Sequence, residues 1–109
     1  MVVAVAQIEI MVSESRSLKT KRRVVRRILD RVRAKFPVSA SEVGGQDLWQ
    51  RAELGFACVS GDRAHAEEVI QSVVRFIEDL YLAPVLSRHV EILRVAEDPD
   101  SMWRDWADA

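Results

Sequence analysis

The sequence has a single cysteine, Cys58, among its 109 residues, which excludes an internal disulfide. The thiol lies in an apolar run, where a free cysteine usually behaves as a small buried hydrophobe. No stretch reaches the roughly eighteen uninterrupted apolar residues that a membrane-spanning helix requires. The apolar opening at residues 2–12 has no positive charge before it and carries Gln7 and Glu9, so it is not typical of a signal peptide. These absences predict a soluble, cytoplasmic protein without a membrane partner.

The sequence also lacks a catalytic or metal-binding constellation. His65, His89 and Cys58 show no ligand spacing and fall on different predicted elements. Glu9, His89 and Glu91 come nearest to an acid–base group, because Glu9 and His89 become cross-strand neighbours if the first and last strands pair. No nucleophile accompanies them. The sequence therefore predicts a protein that is not an enzyme, with no metal, no cofactor and no evident small-molecule substrate.

What remains is an ordinary globular composition. The chain is 49% hydrophobic and 30% charged, far from the low hydrophobicity and high net charge that mark disorder. A chain of this length is expected to form one domain and to bury about two thirds of the surface that the unfolded chain exposes. We divide it into an α+β domain over residues 1–96 and an acidic tail over residues 97–109.

Six secondary-structure elements are predicted from the hydrophobic periodicity. Residues 2–12, 38–43, 52–60 and 85–95 alternate as strands, and the second and third should form a hairpin. Ser17 caps a first helix that ends before Pro37, and Asp62 caps a second that runs to about residue 82. Each helix has one apolar stripe and each strand one apolar face. The order βαββαβ therefore predicts two helices on one face of a four-stranded antiparallel sheet.

The two sheet faces receive different residues in this arrangement. The predicted core under the helices consists of Leu18, Val25, Ile28, Leu29, Val69, Val73 and Ile77 with Ala4, Ala6, Ile8, Leu54 and Phe56. In the last strand, Leu86, Val90 and Ile92 form the apolar side. The open face should carry Gln7, Glu9, Glu53, Gly55, Ala57, His89 and Glu91. It lacks aromatic residues, so base stacking on the sheet is not expected.

The first predicted helix carries a large excess of positive charge. Between residues 16 and 35 there are ten Lys or Arg and one acid, Asp30, although the whole chain has a net charge of −1. A row at four-residue spacing consists of Lys19, Arg23, Arg27, Arg31 and Lys35. Each pair of like-charged neighbours in such a row costs about 0.2–0.5 kcal/mol. A row of guanidinium groups can bind the phosphates of a nucleic acid whatever its base sequence. The RNA-binding candidates are Lys19, Arg22, Arg23, Arg26, Arg27 and Arg33.

Two other interpretations of this charge stay open. The face could be met only by water and counterions, or it could bind an acidic protein surface, including the tail of the same chain. The sequence pI near 6.1 is below the basic value that is typical of a dedicated nucleic-acid-binding domain.

The connection between the second and third strands is a candidate interaction loop with Asp47, Trp49, Gln50 and Arg51. Loops carry binding residues more often than packing residues, and Trp and Arg are typical interface anchors. The alternative is a structural loop in which Asp47 caps local amides and Trp49 packs onto the core.

The tail combines acids with large apolar residues. Residues 97–109 contain five acids and one arginine, and Met102, Trp103 and Trp106 would share one side of a short helix. We predict that both tryptophans pack against protein, on this domain or on a second copy, with the acids partly neutralising a basic surface. A disordered end is the alternative.

Several sequence blocks in order resemble the YlxP-like family, also called domain of unknown function 503. These blocks are residues 17–23, 36–43, 47–52, 54–55 and 76–78, and the resemblance extends over about residues 2–96. The Gly44–Gly45 pair and the tail depart from it. The resemblance implies a ferredoxin-like fold. Because genes of this family are found in many bacteria among genes for translation initiation and ribosome maturation, it also implies a role near RNA.

Together these features predict an RNA- or ribosome-associated accessory protein whose basic first helix contacts phosphates, with ribosomal RNA or the ribosome as partner. The alternative is a homo-oligomeric protein-interaction module with no role in nucleic-acid binding, which would use the open sheet face or an edge strand. Salt-dependent RNA binding separates the two hypotheses.

Overall fold

Strands and helices follow one another in the order that the sequence predicts. The computed structural model describes residues 1–12 and 17–95, so the prediction that the tail is ordered lies outside the described residues. The elements are β1 (Val2–Met11), α1 (Leu18–Lys35), β2 (Ser39–Gly44), β3 (Arg51–Ser60), α2 (Arg63–Leu80) and β4 (Val85–Arg94). Within the described residues no helix is both long and apolar enough to cross a membrane.

The four strands form one sheet in the order β2-β3-β1-β4, and all neighbouring strands are antiparallel. The central pair, β1 with β3, is in register along its whole length, from Val2 opposite Ser60 to Met11 opposite Arg51. Both outer pairs contain a register shift, one in β1 between Glu9 and Ile10 and one in β2 between Glu42 and Gly44. The predicted α+β sandwich with an antiparallel sheet is confirmed.

The core lies between the sheet and the two helices, as strand alternation requires. Even-numbered residues of β1 and β3 face the helices, and Ile8, Ile10 and Leu54 are completely buried there. The helices add Val25, Ile28, Leu29 and Val32 from α1, and Ala66, Ile70, Val73, Val74 and Ile77 from α2. Cys58 is buried as a free thiol. Each large side chain buried in this way contributes about 1.5–3 kcal/mol to folding.

Two residues of the predicted core, and Leu86 on the predicted apolar side of the last strand, are less buried than expected. Leu18 and Val69 are only half-buried, because Leu18 begins the first turn of α1 and Val69 lies at the edge of the α2 stripe. Leu86 is 40% exposed. The register shift places Val85, not Leu86, opposite the buried Ile10, so the prediction for Leu86 is wrong.

The two helices begin in the same way and end differently. The side chain of Ser17 accepts a hydrogen bond from the Thr20 amide at 3.2 Å, and that of Asp62 accepts one from the Ala64 amide at 2.9 Å. Both predicted N-caps are therefore confirmed. After α1 the chain turns extended at Phe36, before Pro37, whereas α2 ends on Tyr81 in the left-handed conformation with φ of 53°.

Candidate functional site

The solvent face of α1 is a continuous basic surface. The apolar stripe of α1 packs on the sheet, and this turns the remaining positions outward. Six exposed cations and Asp30 line a shallow groove of about 810 Å³ along the helix. We call these six the basic face: Lys19, Arg22, Arg23, Arg26, Arg27 and Arg31. The groove contains five of the six predicted RNA-binding residues and adds Arg31.

No acid among the described residues neutralises the basic face. None of its six side chains forms an ion pair or a hydrogen bond with another residue of 1–12 or 17–95. Asp30, which lies within helical reach of Arg26 and Arg27, pairs instead with Arg33 at 3.4 Å. No ion pair with a described residue therefore relieves the like-charge repulsion expected along the row.

Arg33 and Lys35 make contacts that the six residues of the basic face do not make. Arg33 donates a hydrogen bond to the backbone carbonyl of Ala40 in β2. The ammonium of Lys35 lies 4.7 Å from the centre of the Phe76 ring, and that ring packs edge-on against Phe36. Four members of the predicted row of five thus have no ion pair with a described residue, and Arg33 lines a depression together with Arg22 and Arg26.

Lys21, which sequence reasoning did not single out, is completely buried. Its Nζ donates to the backbone carbonyls of Gly45, Arg51 and Gln46, at 2.6, 3.1 and 3.3 Å respectively. Glu42 Oε2 lies 3.3 Å away as an ion-pair partner. An ammonium group has three protons, and the three carbonyls take them all. This explains why the buried Glu42 Oε2 has an ion pair but no hydrogen bond.

A signal for Lys21 was present in the sequence. The apolar stripe of α1 recurs at residues 18, 25, 28 and 32, and a position at 21 fits between the first two with helical spacing. A lysine in an apolar stripe needs a partner, because an unpaired buried charge costs several kcal/mol. The sequence did not show that the partners would be carbonyls more than twenty residues away.

Gly45, which follows Gly44 at the end of β2, contributes to the acceptor site for Lys21. Gly45 has φ of 74°, a conformation that favours glycine, and it presents its carbonyl to Lys21. At Gly44 an added Cβ would meet the carboxylate end of the flexible Glu53 side chain. Gly45 therefore lets the chain turn at the end of β2.

The β2–β3 loop, residues 45–50, has a fixed backbone and exposed side chains. The Leu48 amide donates to the Gly45 carbonyl at 3.0 Å, and the Val12 amide donates to the Gln50 carbonyl at 2.8 Å. Trp49 is 56% exposed. Its indole is therefore not part of the buried core.

The four candidate interaction-loop residues do not share one surface. Asp47, Trp49 and Gln50 are exposed in the loop, and no described residue donates a hydrogen bond to the Asp47 carboxylate. Arg51 begins β3, and its Nη1 lies 3.8 Å from Glu9 Oε1 on the open sheet face. Arg51 therefore belongs to the sheet face, not to the loop.

The possible acid–base group on the open sheet face is not assembled as expected. β1 and β4 do pair, but His89 lies opposite Gln7 and Glu9 lies opposite Ser87. The Glu9–His89 pairing is therefore wrong, because the register differs by two residues. His89 Nε2 instead contacts Glu91 Oε1 at 2.7 Å on an exposed surface. No cluster of three metal-ligating side chains occurs in the part of the chain that the structure describes.

Comparisons with known proteins agree with this fold. A family model described as "Protein of unknown function (DUF503)" matches residues 3–90. The chain is 48% identical over 73 residues to the uncharacterized protein YlxP of Bacillus subtilis (strain 168). The aligned segment covers 67% of this chain and 79% of that protein. A de novo designed protein with a ferredoxin fold superposes with a TM-score of 0.56 and 15% identity, over 90% of this chain and 91% of that one. The fold is therefore ferredoxin-like, and the chain belongs to the YlxP-like family of unknown function, DUF503.

Proposed function

We propose that this protein is an RNA- or ribosome-associated accessory protein of the cytoplasm that binds the phosphate backbone through the basic face of α1. Its role is binding, without catalysis or a cofactor. The observation that carries the proposal is a set of six exposed cations on one helix face, none of them paired with a described residue.

The spacing of the basic face suits a polyanion. Residues four apart on a helix are about 6 Å apart along its axis, so the row from Lys19 to Arg31 extends about 18 Å. Charges distributed along such a line in a shallow groove match a series of phosphates better than one small anion. A bound phosphate chain would also relieve the repulsion between neighbouring cations.

The basic face supplies charge without base recognition. Arg and Lys contacts to phosphates position a protein on nucleic acid and carry no sequence information by themselves. Because binding of this kind releases counterions, affinity should fall steeply as salt rises. The near-neutral net charge of the chain makes the attraction local to α1, so we expect modest affinity at physiological salt.

Charge reversal on α1 tests the proposal. We expect Arg23→Glu/Arg27→Glu to abolish cosedimentation with ribosomes and ribosomal RNA at low salt. Its thermal stability should be unchanged or raised. The matched control is Arg63→Glu/Arg75→Glu on α2, which makes the same change in net charge at two exposed positions and should retain binding. Cosedimentation of both variants at the wild-type level would contradict the proposal.

The open sheet face favours a second candidate function, a homo-oligomeric protein-interaction module. Val59 is 63% exposed and Leu93 is 46% exposed, and both lie opposite Val3 in the sheet register. Val59, Val3 and Leu93 thus form an apolar row across the sheet, and beside it the open face has a concavity of about 560 Å³. An exposed apolar row of this kind can be covered by another protein surface.

Solution mass separates this candidate from the first. If the sheet face assembles the protein, the wild type should sediment as an oligomer that Val59→Asp converts to a monomer, and neither form should bind RNA. A wild-type monomer at micromolar concentration would eliminate the oligomer hypothesis.

A further inference from the structure

We infer that Trp49 and the basic face of α1 form one RNA-binding surface, in which Trp49 stacks on an unpaired nucleotide next to phosphates held by α1. The inference rests on the proposed function and adds a class of ligand. That ligand is RNA in which a duplex adjoins at least one unpaired base, in preference to a blunt duplex.

Lys21 is the structural link between the two parts of this surface. Arg22 of the basic face lines a shallow depression with Glu42 of β2, and Lys21 next to it lies in the buried stripe of the helix. Its buried ammonium binds the carbonyls of Gly45 and Arg51, one at each end of the β2–β3 loop. The backbone of the loop is therefore bonded to the first turns of α1.

Trp49 is presented to solvent by a backbone that is already ordered. The residues on both sides of it are tied down, Leu48 through its amide to Gly45 and Gln50 through its carbonyl to Val12. An indole that is 56% exposed contributes little to the core, so packing does not explain a tryptophan at this position. A preorganised aromatic side chain loses little conformational entropy when a ligand covers it.

The chemistry of the loop favours stacking over phosphate contact. Asp47 is the only charged residue in the loop, and the Arg51 guanidinium is directed to Glu9 on the open sheet face. Phosphates are thus attracted to α1 and not to the loop. Aromatic side chains stack on bases that have left a duplex, since paired bases are already stacked on one another.

The experiment compares two RNAs that differ only in an unpaired end. One is a blunt duplex, and the other is the same duplex with a short single-stranded adenine overhang. We expect the wild type to bind the overhang RNA more tightly. Trp49→Ala should weaken binding of the overhang RNA about tenfold and leave binding of the blunt duplex unchanged, whereas Trp49→Phe should keep most of the preference.

Leu48→Ala is the matched control, because Leu48 lies in the same loop with nearly the same exposure, 53%, but has no aromatic ring. It should not change the preference for the overhang. In a Trp103→Phe/Trp106→Phe background Trp49 is the sole tryptophan, and its fluorescence should be quenched by the overhang RNA alone.

Each remaining outcome overturns the inference in a recognisable way. If the wild type binds both RNAs equally and Trp49→Ala changes neither, the basic face stands as an RNA site but Trp49 is not part of it. If Leu48→Ala and Trp49→Ala reduce binding alike, the loop acts as an apolar contact without stacking. If the wild type binds neither RNA, the proposed function itself is wrong.

Discussion

The two helices differ in charge although the fold uses them in the same way. Both have 18 residues, both have five buried residues and both lie on the same sheet face. α1 nevertheless contains nine Lys or Arg and one acid, whereas α2 contains two Arg and four acids. Packing constrains only the apolar stripe of each helix, so the charge of α1 is not required by the fold. It is the main reason to assign a binding role to α1 and not to α2.

The buried stripes of the two helices also differ. That of α2 is entirely apolar, with Ala66, Ile70, Val73, Val74 and Ile77. In α1 one of the five positions is Lys21, whose side chain crosses to the β2–β3 loop. α1 therefore combines a cationic outer face with an internal polar contact that orders a neighbouring loop.

Removing the Lys21 ammonium should produce the largest effect on stability. Lys21→Met keeps the length of the side chain but leaves three carbonyls without their donor and the Glu42 carboxylate buried without its partner. We expect a loss of about 3–5 kcal/mol in the free energy of unfolding, measured by urea denaturation. Trp49 fluorescence of the folded variant should also change as the loop loosens.

Two variants make this prediction specific. Lys21→Met/Glu42→Gln should recover part of the loss, because no uncompensated charge then remains buried. Lys19→Met, two residues away on the exposed face, should change stability by less than about 0.5 kcal/mol. Equal stability of the Lys21 and Lys19 variants would show that the buried ammonium does not hold the loop.

Giving α1 the mixed charges of an ordinary solvent-exposed helix should raise stability, by less than the Lys21→Met substitution lowers it. In Arg23→Glu/Arg31→Glu the row from Lys19 to Lys35 alternates in charge, so four repulsive pairs become attractive. We expect the free energy of unfolding to rise by about 2 kcal/mol at low ionic strength. The gain should be smaller at 1 M salt, because salt screens the charges. Calorimetry at the two salt concentrations would measure it.

The same exchange in α2 should have the reverse outcome. Arg63 and Arg75 lie four residues before Glu67 and Asp79, so changing both arginines to Glu replaces attraction with repulsion and should lower the melting temperature. A similar shift in the same direction for both double variants would mean that local charge pairing does not distinguish the helices.

The smallest expected effect on stability is at the C-terminal end of α2. Tyr81 closes α2 in the left-handed conformation while 87% exposed, and this backbone strains any residue with a Cβ. Tyr81→Gly should raise stability by about 0.5–1 kcal/mol, the relief of strain being partly offset by the greater freedom of glycine in the unfolded chain. Tyr81→Ala keeps a Cβ and should bring no gain in the urea midpoint.

Sequence patterns that act over a few residues predicted most of the fold. Alternation identified the buried positions of β1 and β3, and the caps Ser17 and Asp62 were found because their side chains bond to amides two or three residues away. The predictions for Leu86 and for the Glu9–His89 pair were wrong. Both depended on the register between β1 and β4, which puts His89 opposite Gln7 and, beyond the shift at Glu9 and Ile10, puts Val85 opposite Ile10.

The sequence by itself determined the two amphipathic helices, the antiparallel sheet and the cationic row of α1. Helical geometry places residues four apart on one face whatever surrounds them. Only the tertiary structure decided which cations of α1 bond to other described residues, because Lys21 and Arg33 bond to backbone carbonyls outside α1. It also decided that the loop carrying Trp49 is bonded to α1, since that bonding depends on contacts from Lys21 to carbonyls 24 to 30 residues further along the chain. Contacts at such separations follow from strand pairing and packing, which local periodicity does not specify.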